Sequence, residues 1–250
     1  MSSTDFARLH TPGKPLILYN IWDAGSARAL AGAGAPAIAT GSASLANAQG
    51  YEDGEDIPLD DVLHTVRQIR RVTDLPLSVD FEGGYAPEPE GLAVNITRLI
   101  KAGADGINFE DRIVKGEGLY PLARQVERIA TLRNASDKAR KSLFINARTD
   151  YFLEEANPQQ HAGLIGQAIE RGQAYADAGA SGFFVPGLAD PDLIARVCEA
   201  VGLPVNVMAF TQDTDLAQLA SAGVARISFG PFPWRWVMAD LVAGYKSVSA

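Results

Sequence analysis

The sequence predicts an α/β fold: a (β/α)8 barrel of the TIM type, formed as one domain over residues 1–250. Three observations predict it. Short apolar runs alternate strictly with helical patterns, which implies a parallel sheet. A phrase made of a helix end, a glycine and an apolar strand recurs along the chain. It stands at Ala31-Gly-Ala-Gly-Ala-Pro-Ala-Ile-Ala-Thr40, at Ala102-Gly-Ala-Asp-Gly-Ile-Asn108, at Ala178-Gly-Ala-Ser-Gly-Phe-Phe184 and at Ala222-Gly-Val-Ala-Arg-Ile-Ser228. Finally, the apolar runs number about eight, enough to close a barrel, whereas a doubly wound open sheet usually has fewer strands. With 250 residues, 47% of them hydrophobic, the chain has ample material for such a core.

The elements follow in order. A strand at 16–20 precedes a helix at 25–34 that runs into the first glycine phrase, and a strand at 36–41 follows. The helix at 58–72 carries Leu59, Val62, Leu63, Val66 and Ile69 as one stripe, with Asp60, Asp61, Arg67, Arg70 and Arg71 mostly elsewhere. Pro76 breaks that helix from a strand at 76–82. A helix at 89–103 and a strand at 106–110 flank Gly103, and a helix at 121–134 leads to a strand at 143–148. A helix at 160–179 ends at Gly179 before a strand at 182–186. A helix at 190–201 is separated by Gly202-Leu-Pro204 from a strand at 204–209. A helix at 213–222, a strand at 225–230 and a helix at 233–247 complete the set. These strands are near-continuous apolar runs, as strands buried on both faces should be.

Charge and cysteine usage narrow the function. A formal net charge of −8 argues against nucleic acid and anionic membrane as partners. An anionic substrate then needs a local cation or a metal ion. The single cysteine, Cys198, forbids an intrachain disulfide and fits a reducing cytoplasm. The first ten residues lack a signal-peptide apolar region, and no run of about 18 apolar residues predicts a membrane span.

In a barrel the chemistry sits just after each strand. Asp80 and Glu82 close the third strand in Leu75-Pro-Leu-Ser-Val-Asp-Phe-Glu-Gly-Gly-Tyr85, and Glu110 with Asp111 close the fourth. Asp53 stands in the loop after the second, and Arg148 ends the fifth. Hard divalent cations prefer such oxygen-rich sites, held by one or two carboxylates plus waters. An arginine there suits bidentate capture of a carboxylate. Together they point to a small acid with a second oxygen that a metal can chelate. No lysine ends a strand, which argues against a Schiff-base enzyme. His10, His64 and His161 lie at the N-terminus and in predicted helices, and Cys198 lies on an outer helix. Ser42 and Ser44 read, from the residues alone, as turn positions.

The motifs Trp22-Asp-Ala-Gly-Ser-Ala-Arg28, Gly41-Ser-Ala-Ser44, Asp80-Phe-Glu-Gly-Gly-Tyr85, Asn108-Phe-Glu-Asp111 and Asn146-Ala-Arg148 resemble those of the isocitrate lyase/phosphoenolpyruvate mutase superfamily. The resemblance runs from about Tyr19 to Pro231. It implies Mg²⁺ (Mn²⁺ as a substitute) at the barrel mouth and a small 2-oxo acid substrate. By motif, Asp80 resembles the direct metal ligand, while Asp53, Glu82 and Glu110 resemble the shell around the metal's waters. Ser42, Ala43, Arg148, Tyr19 and, more weakly, Asn206 resemble substrate contacts, with Ser42, Glu110 and Arg148 taking part in the chemistry.

Glu82 stands where many members have Asp. The lyases' Lys-Lys-Cys-Gly-His segment after the fourth strand is replaced by Arg112-Ile-Val-Lys-Gly-Glu-Gly-Leu-Tyr120. A Mg²⁺-dependent C–C lyase that needs no thiol, such as an oxaloacetate-type decarboxylase, suits that loop. Carbon–phosphorus chemistry and a non-catalytic 2-oxo acid binder are the alternatives. The family also implies a homo-oligomer, a dimer or tetramer, with any exchange of a C-terminal helix expected to be reduced or absent because the chain ends soon after the single helix 233–247.

Overall fold

The computed structural model describes residues 3–249. Eight strands form one parallel sheet: β1 (Leu16–Leu18), β2 (Ile38–Ala39), β3 (Leu77–Asp80), β4 (Gly106–Glu110), β5 (Phe144–Arg148), β6 (Gly182–Phe184), β7 (Val205–Met208) and β8 (Arg226–Ser228). Their order is β1-β8-β7-β6-β5-β4-β3-β2, so each strand lies beside its sequence neighbour and the end of the chain returns to its start. The barrel expected from strand counting is the architecture observed. Its last seam, between β1 and β2, is narrow: a single parallel bridge joins Ile21 to Thr40. Asn20 reinforces that seam. Its Nδ2 donates to the Thr40 carbonyl at 2.9 Å, and its Oδ1 accepts from the amides of Phe229 and Gly230.

Most strands are shorter than the apolar runs, though single backbone bonds continue past their ends, as from the Glu110 amide to the Glu82 carbonyl at 3.0 Å. The helices match their predicted positions within a few residues. Leu59–Arg70 buries Leu59, Val62, Leu63, Val66 and Ile69, the predicted stripe. The glycine phrase has a second function. Gly103 and Gly179 take positive φ, and a Cβ there would come within 3 Å of Arg70 and Arg133, respectively. Those arginines donate to the glycine carbonyls at 2.8 and 2.9 Å, fixing the turn into β4 and β6.

Four short helical segments carry no clear sequence signal: Ser3–Arg8, Ser42–Asn47, Tyr151–Glu154 and Pro158–Gln160. None is long enough to show a period. The segment Ser42–Asn47 replaces the turn expected there, and neither it nor Tyr151–Glu154 has a side-chain cap. The first segment brings Phe6 into the barrel floor, where a Cβ on Gly106 would lie 2.7 Å from its ring. Phe144 packs against Phe6, and His10 stacks on Phe144 at 4.0 Å. Burial, assisted by the nearby Arg226 charge, lowers the His10 pKa to about 3, so the ring is neutral.

Above this apolar floor the interior is polar. Ser78, Asn108, Asn146, Asn206 and Arg226 are all buried in one layer. Two residues on, strand periodicity brings Asp80, Glu110, Arg148, Met208 and Ser228 to the mouth. The C-terminal helix Phe232–Ser249 leaves Leu241, Tyr245 and Val248 exposed on its outer side. Among the described residues, no helix is long and apolar enough to cross a membrane.

Candidate active site

The strand ends surround a cavity of about 190 Å³. Ser42, Asp53, Asp80 and Arg148 form its polar wall, with Ala43 beside Ser42. Leu153, Phe184, Pro186 and Met208 form an apolar wall, and Arg235 stands at the rim.

Asp80 is held in place from two sides. Its backbone amide donates to Thr40 Oγ1 at 2.9 Å, and its Oδ2 accepts from the Ser42 amide at 3.0 Å. Its Oδ1 is buried with no hydrogen-bond partner. Burial raises its pKa, against the attraction of Arg148 and the bond from Ser42. A buried acceptor left empty beside a polar cavity is costly unless a cation or water completes it. One such carboxylate, with waters filling the other positions, is the donor set that Mg²⁺ accepts. Among the described residues, no group of three or more His, Cys, Asp or Glu forms a ready-made protein cage. Asp80 with waters therefore fits the ion better than four acids in direct contact.

Glu82 is turned aside from the cavity. It has a left-handed backbone (φ 49°), as do Glu55 and Tyr85 (both 58°). Such non-glycine residues cost of order 1 kcal/mol or more each, and they gather at functional sites. Together they form a clasp. The Glu55 amide donates to Glu82 Oε2 at 2.9 Å, the Tyr85 hydroxyl to Glu82 Oε1 at 3.3 Å, and the Tyr85 amide to Glu55 Oε1 at 2.7 Å. The clasp ties the end of β3 to the loop that presents Asp53.

Burial, then the charges of Asp80, Asp53 and Glu55, push the Glu82 pKa up to about 8. The folded protein therefore binds a proton between the ordinary carboxylate range, near 4.5, and 8 that the unfolded chain has lost. Metal-free stability should fall as pH rises through that window. Thermal melts from pH 5 to 8.5 should show this slope, and Glu82→Gln should flatten it. An unchanged slope in the variant would assign it to other groups.

Arg148 is embedded in acids. Its Nε and Nη2 pair with the two carboxylate oxygens of Asp150, and Nη1 lies 3.1 Å from Glu110 Oε2. Burial alone would disfavour its charge, but Asp150 and Glu110 outweigh that and hold it protonated. Of the five guanidinium N–H groups, one on each terminal nitrogen stays available to a ligand. Glu110 is thus an ion-pair partner of Arg148, and burial raises its pKa against that pairing.

Asp111 points away from the mouth, as the next residue along a strand must. It accepts from Arg171, from the Tyr175 hydroxyl at 2.9 Å and from the Asp150 amide at 3.0 Å. Arg171, Asp111 and Asp150 form a buried chain of support ending at Arg148.

Two other expected contacts lie off the cavity wall. Tyr19 faces outward against Phe229 and Trp236, and its neighbour Asn20 lines the cavity instead. Asn206 lies in the layer below, where its Oδ1 accepts from Ser228 Oγ at 3.4 Å.

Sequence reading places Asp150 after the fifth strand without giving it a role, and it missed Arg235. An Arg-X-Asp spacing puts both side chains on one face of extended chain, which was the available signal for Asp150. Arg235 gave none, because it opens an ordinary helical pattern. It has no carboxylate partner among the described residues.

The segment 112–120 folds as a small hairpin through an Arg112–Leu119 bridge. Val114 packs on it towards Gly83 and Gly54. The hairpin lines a separate cavity of about 410 Å³ and contributes nothing to the wall of the Asp80 cavity. Cys198 sits half-buried on Pro191–Ala200, and burial raises its thiol to about 11. No Lys, His or Cys lines the Asp80 cavity.

Residues 6–249 match the family model for phosphoenolpyruvate phosphomutase. The chain belongs to this family. A crystal structure of a provisional phosphonomutase from Burkholderia cenocepacia J2315 is 45% identical, covering 98% of this chain and 97% of that one at a TM-score of 0.95. The 2-methylisocitrate lyase of Escherichia coli K12 is 32% identical over 213 residues, 79% of this chain and 69% of the lyase. A phosphonopyruvate hydrolase bound to oxalate and Mg²⁺ shares the fold at a TM-score of 0.85 with 19% identity, over 100% of this chain and 87% of the hydrolase. The chain is thus an enzyme of the superfamily that contains the isocitrate-type lyases and the phosphoenolpyruvate mutases.

Proposed function

We propose that the protein is a Mg²⁺- or Mn²⁺-dependent lyase that cleaves a C–C bond in a small 2-oxo dicarboxylic acid, with oxaloacetate-type decarboxylation as the reaction. The observation that carries this reading is the composition of the cavity wall. It offers a buried, unpartnered carboxylate oxygen on Asp80, the carboxylate of Asp53 and two arginines, and it offers no Lys, His or Cys that could protonate a departing carbanion or alkoxide. Carbon dioxide leaves without needing a proton.

When bound at Asp80, the divalent ion would supply positive charge against the 2-oxo oxygen and the adjoining carboxylate. The two remaining N–H groups of Arg148 hold that carboxylate. Arg235 meets the distal carboxylate at the rim. As the C3–C4 bond breaks, its electron pair passes into the C2–C3 bond and onto the 2-oxo oxygen, giving an enolate and CO₂. The first turn of Ser42–Asn47 brings Ser42 and Ala43 beside that oxygen. The enolate carbon then takes a proton from water, yielding the 2-oxo monocarboxylic acid. Asp53, on the cavity wall, would help to hold the ion's waters, while Glu82 holds the Asp53 loop through Glu55 and Glu110 holds Arg148. A phosphonopyruvate hydrolase of the same fold takes oxalate and Mg²⁺, which is compatible with this reading.

The test is an NMR-followed screen of 2-oxo and 2-hydroxy di- and tricarboxylates with Mg²⁺. Oxaloacetate should give pyruvate, EDTA should stop turnover, and Arg235→Ala should raise KM by about 10-fold with kcat less affected. Turnover unchanged by EDTA would overturn the reading. The 45% identical phosphonomutase-like structure favours a second reading, carbon–phosphorus chemistry. Phosphate release from phosphonopyruvate, with oxaloacetate untouched, would establish that one instead.

The same reading extends to assembly. A second copy of this chain would cover the exposed row Leu241, Tyr245 and Val248, beside an apolar groove formed by Tyr19, Trp22, Leu30 and Val237. A monomer by light scattering at micromolar concentration would contradict it.

A further inference from the structure

The polar layer beneath the cavity holds an arginine with an unusual surrounding. Arg226, at the start of β8, is fully buried and has no ion-pair partner among the described residues. TIM barrels normally fill this space with branched apolar side chains. Its Nη2 lies 3.1 Å from Asn108 Oδ1 and 3.4 Å from Ser78 Oγ. Burial lowers its pKa to about 9, with the Asp80 charge opposing, so it remains a cation at neutral pH.

Arginine is a donor only. The Asn108 atom facing it must therefore be the carbonyl oxygen, which settles the amide orientation by chemistry. Asn146 Nδ2 donates to the same oxygen at 2.8 Å. With its oxygen held by two donors of its own layer, the Asn108 NH₂ group is the part left for the cavity above. Asn108 lines the Asp80 cavity, and no acceptor among the described residues takes its N–H groups.

We propose that the Asn108 carboxamide is a substrate-contacting donor in the cavity floor, and that Arg226 is the positioning residue that keeps its NH₂ aimed at a substrate oxygen. The inference rests on the reading that the cavity takes a 2-oxo acid. An upward-facing amide donates to a carboxylate or enolate oxygen. Loss of the Arg226 Nη2 donor would free the amide to flip and present an acceptor to an anion. A charged donor on the oxygen also polarises the amide and strengthens its N–H groups.

Calorimetric titration of oxalate in the presence of Mg²⁺ tests this without turnover. Asn108→Asp keeps an oxygen for Arg226, and gives it an ion-pair partner, but replaces the upward donor with a second oxygen. It should melt no lower than the parent and bind oxalate at least 30-fold more weakly. Arg226→Met should weaken oxalate about 10-fold, whereas Arg226→Lys, which still donates to Asn108, should stay within about 3-fold.

If the parent binds oxalate and a folded Asn108→Asp binds equally well, this inference fails while the functional reading stands. If the parent binds no oxalate with Mg²⁺, the functional reading fails and takes the inference with it. Should Asn108→Asp not fold, Asn108→Ser serves in its place with the same expected loss. Failure of both to fold would assign Asn108 a structural role and overturn the inference.

Discussion

Asp80→Asn is expected to abolish the response to Mg²⁺ and to lower kcat/KM for a 2-oxo dicarboxylate by about 10²–10³-fold or more, the scale of losing a main electrostatic stabiliser. Asparagine preserves the shape of the site. Its carbonyl oxygen can still accept from the Ser42 amide, so the seam between the end of β3 and Ser42–Asn47 stays closed. What it loses is the charge on Oδ1, the buried oxygen with no partner. In the parent, a ligand that binds only the folded state raises the melting temperature by mass action. Millimolar Mg²⁺ should therefore raise the parent's melting temperature and leave that of Asp80→Asn unmoved. A metal-induced shift that survives the substitution would place the ion elsewhere. An activity that survives would remove Asp80 from the chemistry.

The sequence disclosed the barrel because its evidence is repetitive. Glycine-terminated helices and two-face-buried strands recur, and each repeat supports the others. The short helices Ser3–Arg8 and Ser42–Asn47 were illegible because six residues cannot establish a 3.6-residue period. The acids were legible as a group, since strand ends in a barrel converge whatever the details. Their individual directions were not.

Asp111 differs from Glu110 by one position and so faces the opposite side, into Arg171 and Tyr175. Glu82 lies beyond β3, and although its carbonyl still accepts from the Glu110 amide, its backbone is no longer extended, so strand alternation does not govern it. A left-handed backbone carries it into the Glu55 clasp. Tyr19 and Asn20 exchange roles for the same reason as Asp111 and Glu110. The β1 chain turns its odd-numbered neighbour outward and its asparagine towards the mouth. A motif assigns a residue type to a site, but only the local register assigns its direction.

Arg148 is where that register matters most, and its replacement should have two separable effects. Arg148→Lys retains a positive charge but loses the planar fork. A lysine ammonium cannot pair with both oxygens of Asp150 while also presenting two parallel donors to a carboxylate. KM for the 2-oxo acid should rise about 10²-fold, the cost of a lost charged, bidentate contact. Stability should change little.

Arg148→Met should lose the same binding and also destabilise the fold by roughly 3–5 kcal/mol near pH 8, because Glu110 and Asp150 become buried carboxylates without their partner. The sign of the pH dependence identifies that cause. Removing the cation leaves burial to raise the Glu110 pKa unopposed by its main attraction. A carboxylate whose folded pKa lies above its unfolded value stabilises the folded state when protonated, and that contribution is lost as pH rises through the folded pKa. The variant should therefore recover stability as pH is lowered from 8 towards 5, closing part of its gap to the parent. A gap that stayed constant across that range would mean that Glu110 and Asp150 find other partners, and that the chain of support from Arg171 through Asp111 does not end at Arg148.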